Sequence, residues 1–270
     1  MSVELIASNE FEARSPFRRT LTGLLVAVCW LPVAYLVLLS VASDWAFPKL
    51  FPAALTADTW ARAFGRDEKL LGSLLVSTGI ALLVATLATT AGVFASRLFA
   101  YHPRRGWWVL AAHAPFALSP VILGSCLLFF FIKLGLAGTV AGVVGGQFLF
   151  GYGYAVILLI GFWNPRVAAL EDLARTLGAT RGQVFHRVLL PLARPLLAVC
   201  FFQTFLISWF DYGLAAVLGA GKVPVLTLRV FEYLSSGNVR LAAACALVLI
   251  VPPLVLLLVN HRLAAQPEIA

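Results

Sequence analysis

Few side chains in this 270-residue sequence can do chemistry, because 61% of it is hydrophobic and only 12% is charged. Two settings hold the interesting ones. The first is a polar stretch, Asn164 to Pro191, in which Glu171 and Arg175 stand four apart and predict an i, i+4 ion pair on a helix. The second is the interior of long apolar runs, which carry His113, Gln147 and Asp211. A carboxylate at the centre of a bilayer costs roughly 2.5–3.5 kcal/mol on insertion scales, so it faces a cavity or a partner. Asp211 lies toward the end of its run, where that cost is lower; lining a pathway and pairing within the fold are both open to it. His113 can line a path, although packing or an interfacial position is the commoner fate of such a histidine.

Catalytic patterns are missing. There is no nucleophile elbow, no pair of catalytic carboxylates and no His-Glu-x-x-His. Gly219-Ala220-Gly221-Lys222 resembles the end of a phosphate loop, but Ala216 stands at the required earlier glycine and Val223 where a Ser or Thr would hold magnesium. Cys29, Cys126, Cys200 and Cys245 lie far apart within apolar runs and show no zinc or disulfide spacing, which makes them small core residues. The sequence therefore predicts no catalytic residue, no bound cofactor and no metal site.

The elements that must position these residues are membrane spans. Six apolar segments are expected at about 21–42, 70–96, 107–132, 139–163, 196–219 and 239–260, inside one membrane domain from 21 to 260. The first is too long for a signal-peptide core and reads as an uncleaved span, despite the small-x-small run Ser40-Val41-Ala42. Twelve of the twenty Lys and Arg fall in the tail 1–20, the loops 97–106 and 164–194, and the tail 261–270. Those segments face the cytoplasm by the positive-inside rule, so both termini are expected there. The net charge of +8 thus reports topology; no basic, aromatic-interleaved patch suggests nucleic acid. Hydroxyl residues in the second span (Ser73, Ser77, Thr78, Thr86, Thr89, Thr90) and glycines in the fourth (Gly142, Gly145, Gly146, Gly151, Gly153) read as surfaces for close helix packing. Pro115 and Pro120 free backbone carbonyls in the third span, which protein or water must satisfy.

Within 164–191 the rules of soluble helices return. Asn164 suits an N-cap and Pro165 the first helical position. Val167, Leu170, Ala174 and Leu177 recur at helical spacing, and Gly178 stands where a helix end wants positive φ. Thr180 and Gln183 form a capping-box pair opening a second short helix with Val184, Phe185, Val188 and Leu189 as its apolar stripe, and Pro191 is expected to close it.

The run EDLARTLGATRGQVFHRVLLP resembles the EAA loop of the membrane-spanning permease subunits of binding-protein-dependent, type I ABC importers. Asp172 stands at the family's glutamate, Leu173 and Ala174 at its two alanines, and Gly178 and Ala179 at its Gly-Ala pair. Phe185, Val188, Leu190 and Pro191 match its tail. The departures are Asp for Glu and Leu for Ala; Glu171, beside them, is placed to carry part of the altered contact. The segment SWFDYGLAAVLG is similar to the corresponding span of permeases for polyamines, ferric iron and phosphonates, whereas Gln147 stands where related permeases often have histidine.

The resemblance implies an all-α polytopic membrane protein with six transmembrane helices and a cytoplasmic two-helix coupling loop, in a bacterial inner membrane. It implies contact with ATPase subunits through Glu171, Asp172, Ala174, Arg175, Gly178, Ala179, Phe185, Val188 and Pro191, and a translocation pathway touching Gln147, Asp211 and His113. The implied partners are two ATPase subunits that hold ATP and magnesium, a second permease (identical or a paralogue), an extracytoplasmic solute-binding protein, and lipid. The chain itself is then a non-catalytic subunit. Its solute is a polyamine, ferric iron, a phosphonate or a similar small molecule, with a sugar as the alternative. A secondary transporter working without ATPases is the competing class; it needs ionisable groups near the midplane, and only His113 and Asp211 offer themselves.

Overall fold

The computed structural model describes residues 16–43, 45, 52, 54–65 and 70–264, so most of the two tails lies outside the described residues. The chain runs through α1 (Pro16–Val41), a two-residue antiparallel ladder of β1 (Ala42–Ser43) with β2 (Ala54–Leu55), and α2 (Asp58–Ala63). Then come α3 (Leu70–Ala100), α4 (Arg105–His113), α5 (Pro120–Lys133) and α6 (Val140–Leu159). The polar stretch holds α7 (Pro165–Thr176) and α8 (Arg181–Val184), and α9 (Leu190–Trp209), α10 (Gly213–Gly219), α11 (Leu226–Ser235) and α12 (Val239–Ala264) complete the fold.

Among the described residues, five stretches are long and apolar enough to cross a membrane: Thr20–Val41, Leu70–Ala100, Val140–Leu159, Arg181–Trp209 and Val239–Val259. The third expected span is not straight. Arg105–Ala117 and Pro120–Lys133 meet at 98°. Sequence chemistry explains the break, because Ser119 precedes a proline and is extended (φ −63°, ψ 145°) while Pro120 opens α5. Ala114–Ala117 is a 3₁₀ turn around Pro115, which has no N–H to continue α4.

The fifth span differs as well. Its helix ends at Trp209, a short irregular link carries Asp211, and α10 begins again at Gly213. At its other end Pro191 closes nothing, since the helix from Arg181 continues to Trp209. A π turn at Phe185–Leu189 precedes the proline, with the Leu190 N–H donating to the Phe185 carbonyl. Such a turn re-registers the backbone bonds just where Pro191 cannot donate one.

The bundle centres on α6, whose apolar window is 61% buried, while that of α1 is 6% buried and leaves its side chains for lipid. α3 and α9 flank α6 through small residues. A Cβ on Gly92 of α3 would lie 2.5 Å from the Cβ of Ala155 in α6, so only glycine permits this approach. The hydroxyls of α3 serve packing: Thr78 and Thr86 donate to carbonyls four residues back, and Thr89 meets Thr204 of α9 at 3.4 Å.

Candidate functional site

Two places gather the polar chemistry. The first is the 164–191 loop. Asn164 Oδ1 accepts from the Arg166 and Val167 N–H groups at 3.0 and 3.1 Å and so starts α7. The helix ends in a Schellman motif: the Ala179 N–H donates to the Ala174 carbonyl and the Gly178 N–H to that of Arg175. Gly178 has φ +85°, which satisfies the expectation of a left-handed turn. Thr180 and Gln183 make the reciprocal capping box that opens α8. Apart from Pro191, the local signals in this stretch fold as their residue types dictate.

What the loop rests on is less visible in sequence. Glu171 is only 6% exposed. Its Oε1 accepts from Arg175 at 2.6 Å, the expected i, i+4 pair, and also from the guanidinium of Arg97 at the end of α3. Arg97 lies over the ring of Trp163, 5.4 Å from its centroid, and the Trp163 Nε1–H donates to Ser96 Oγ at 2.9 Å. Phe94 stacks on Phe185. Trp163, Val167, Val184 and Leu189 form the small core beneath, with Ala174, Ala179 and Phe185 packed against it. The loop is thereby clamped to the last turns of α3.

Its outer surface carries three exposed leucines among charged residues. The stripe Val167, Leu170, Ala174, Leu177 splits in the structure: Val167 is buried and Ala174 half-buried, while Leu170, Leu173 and Leu177 are 43%, 58% and 81% exposed. Asp172 points outward too, 75% exposed in its side chain, with Arg175 at 3.9 Å. Neighbouring carboxylates therefore have opposite roles, since successive helix residues are turned by about 100°. Glu171 is spent inside the chain and Asp172 is available outside it. Val188 is half-buried, and Pro191 is exposed at the start of α9.

The second place is a cavity of about 340 Å³ where the two broken segments meet, lined by Pro120, Gln147, Phe150, Phe210, Asp211 and Tyr212 among others. A Cβ on Gly213 would sit 3.0 Å from Pro120, so the two breaks touch. Interrupted backbone is tolerated at membrane depth where it lines such a cavity. Gln147, 2% exposed, accepts from Ser208 Oγ at 2.6 Å and donates through Nε2 to Asp211 Oδ2 at 2.9 Å. The Asp211 carboxylate also accepts from the backbone N–H groups of Leu214 and Ala215 at the start of α10. The structure thus joins Gln147 and Asp211 in one network. His113 is elsewhere: it is exposed, its Nδ1 meets the Val109 carbonyl at 2.7 Å, and it does not line this cavity. Among the described residues no cluster of His, Cys, Asp and Glu is arranged to hold a metal ion.

Residues that sequence reasoning did not single out are Arg97, Ser96 and Trp163 under the loop, and Ser208 and Thr227 around Asp211. Arg97 was legible only as one positive charge in a cytoplasmic segment, because its carboxylate partner lies 74 residues away.

Comparison with known proteins agrees with this architecture. Residues 88–266 match the family described as binding-protein-dependent transport system inner membrane component. The trehalose transport system permease protein SugB of Mycobacterium tuberculosis is 28% identical over 258 residues, covering 92% of this chain and 94% of its own. The spermidine/putrescine transport system permease protein PotC of Haemophilus influenzae is 24% identical, covering 77% of this chain and 81% of its own. The alpha-glucoside transport system permease protein AglG of Rhizobium meliloti is 31% identical, covering 80% of this chain and 60% of its own. Among solved structures, a bacterial ABC transporter involved in import of the acidic polysaccharide alginate superposes with a TM-score of 0.67 at 15% identity, over 96% of this chain and 98% of that one. With a clamped loop, six apolar segments and these relatives together, the chain belongs to the binding-protein-dependent transport system inner membrane components, the permease subunits of type I ABC importers.

Proposed function

We propose that this permease carries a neutral saccharide through the cavity at Gln147 and Asp211, and is driven by two ATPase subunits seated on Leu170, Leu173 and Leu177. The observation that carries the coupling half is the outward leucine face on α7, mounted on a helix pair that Glu171 fixes from below. Three large apolar side chains on a charged loop have no partner within the chain's core, and an ATPase cleft would bury them. Asp172 adds an outward carboxylate for a basic residue of that subunit, and Gly178 and Ala179 set the angle of the knob.

The saccharide half rests on how Asp211 is spent. Its carboxylate accepts three N–H groups, one from Gln147 and two from the start of α10, which fix it in the cavity wall and leave its lone pairs free only for directional hydrogen bonds. Its sign disfavours a phosphonate. Phe150, Phe210 and Tyr212 offer rings to the apolar faces of a sugar, and Gln147 and Asp211 offer polar atoms to its hydroxyls. Relatives named for trehalose and alpha-glucoside transport are in keeping with this. The same reading places the chain in a bacterial inner membrane with both termini cytoplasmic, beside a second permease and under an extracytoplasmic binding protein. ATP and magnesium belong to the ATPase subunits, and this chain catalyses nothing.

The test is co-purification from detergent, followed by ATPase assay with a panel of solutes. Wild-type permease should bring its ATPase subunits with it, and a Leu173→Asp, Leu177→Asp variant should lose them while remaining folded in the membrane. Hydrolysis in the complete system should respond to a neutral disaccharide and its binding protein. Stimulation by spermidine alone would overturn the saccharide assignment and leave the coupling assignment standing.

A further inference from the structure

The helix that holds the loop is also held at its far end. Toward Ala100, α3 presents Ser96 to Trp163, Arg97 to Glu171 and Phe94 to Phe185. Toward Leu70, the same helix receives α11: the Leu226 N–H donates to Ser77 Oγ at 2.7 Å, and Arg229 Nε donates to Ser73 Oγ at 3.3 Å. α11 reaches the cavity as well, through Thr227 Oγ1, which donates to the Asp211 carbonyl at 3.0 Å. Leu226, the first residue of α11, is fully buried in the core cluster containing Leu70, Ala81 and Ala85 of α3. One helix therefore touches the loop at one end and the rim of the cavity, through α11, at the other.

α3 is suited to carry motion between them. Its 31 residues contain no proline, and the twenty residue steps from Ser77 to Arg97 span about 30 Å at 1.5 Å per residue, the thickness of a hydrocarbon core. Its neighbours in the bundle, α6 and α9, pack closely along it, with Gly92 against Ala155, Val84 near Val143 and Thr89 against Thr204, and so support it between its two ends. Among the polar and aromatic contacts at the loop, that of Arg97 is the one made to α7 itself. Glu171 needs a cation from outside α7 to tie it to the bundle, and Arg97 supplies it. Arg175, on the same helix as Glu171, neutralises the carboxylate without linking it to anything else.

We propose that Arg97 is the positioning residue that latches the coupling loop to α3, so that displacement of the loop is delivered along α3 to α11 and changes access to the cavity at Asp211. This rests on the coupling role of the loop proposed above. The two ends of α3 give the device its attachments, and a nucleotide-dependent change of state at α11 is what a route between the two sites requires.

Hydrogen–deuterium exchange over residues 226–235 tests it in the complete complex, with ATPase subunits and binding protein present. In wild type, trapping nucleotide with vanadate should change exchange in this segment. In Arg97→Gln the ATPase subunits should still co-purify and hydrolyse ATP, the nucleotide-dependent change at 226–235 should vanish, and ATP hydrolysed per solute moved should rise about tenfold, an ordinary coupling loss. Arg97→Lys, which keeps the charge, should restore much of both. Three results overturn the latch: no change at 226–235 in wild type, a change that survives Arg97→Gln, or release of the ATPase subunits by Arg97→Gln, which would make Arg97 part of the docking surface. A wild-type complex that never retains ATPase subunits fails earlier and sinks the coupling role itself.

Discussion

Glu171 and Asp172 show how one residue of separation decides a role. Glu171 gathers two arginines at the base of α7 and Asp172 looks outward with little held against it. Replacing Glu171 by Gln removes a buried charge from two charge-assisted bonds and should cost about 2 kcal/mol of stability. Asp172→Asn should change stability by less than about 0.5 kcal/mol. Thermal unfolding of the purified permease compares the two, and docking of ATPase subunits should be weakened by Asp172→Asn in spite of its neutral stability. The Glu171–Arg175 pair was readable from sequence because it is local. Arg97 was not, since nothing in its neighbourhood distinguishes it from the arginines beside it. Asp211 is the other residue whose environment decides its use. With three N–H donors converging on it, Asp211→Asn must turn an amide N–H₂ toward one of them and should lose about 1–3 kcal/mol. The expected result is lower thermal stability together with reduced transport and a raised KM; unchanged stability would show that the three N–H groups do not hold Asp211 in the fold.

At the scale of elements, the polar loop was almost wholly legible and the apolar spans were legible only in outline. N-cap, Schellman glycine and capping box are short-range devices that sequence writes out, and each is present. The breaks at Ser119–Pro120 and at Asp211–Gly213 are different. The expected spans run through both, although Pro115 and Pro120 stand at the first and Asp211 and Gly213 at the second. Pro191 misled in the opposite direction, because the π turn before it lets the helix pass. Gly178 offers a clean test of the loop's geometry. A Cβ there meets nothing within 4 Å, so the cost of substitution is backbone strain alone, about 1–2 kcal/mol for a left-handed residue and more for a branched one. Gly178→Val should therefore leave membrane insertion intact and reduce transport by more than Gly178→Ala does, as read by uptake normalised to the amount of complex.

At the scale of the molecule, charge placement and the bundle describe the same object. The arginines of 97–106 and 164–194 collect at the end of the bundle that carries α7 and α8, and residues 220–238 lie at the other. Single cysteines at Arg104 and Arg181 should resist an impermeant thiol reagent on intact cells, and one at Gly237 should react. Labelling of residue 181 from outside would place the loop beyond reach of any cytoplasmic ATPase. On the proposed function the whole molecule is a membrane bundle whose loop at one end docks the ATPase subunits and whose cavity lies at the junction of two broken spans, and its work is to connect them. Uptake into proteoliposomes containing permease, ATPase subunits and binding protein measures that connection most directly. Accumulation of solute should require ATP on the side of the 164–191 loop and be abolished by Leu173→Asp, Leu177→Asp. Accumulation that continues without ATP, or in that variant, would contradict ATP coupling through this loop and point to an ATP-independent carrier.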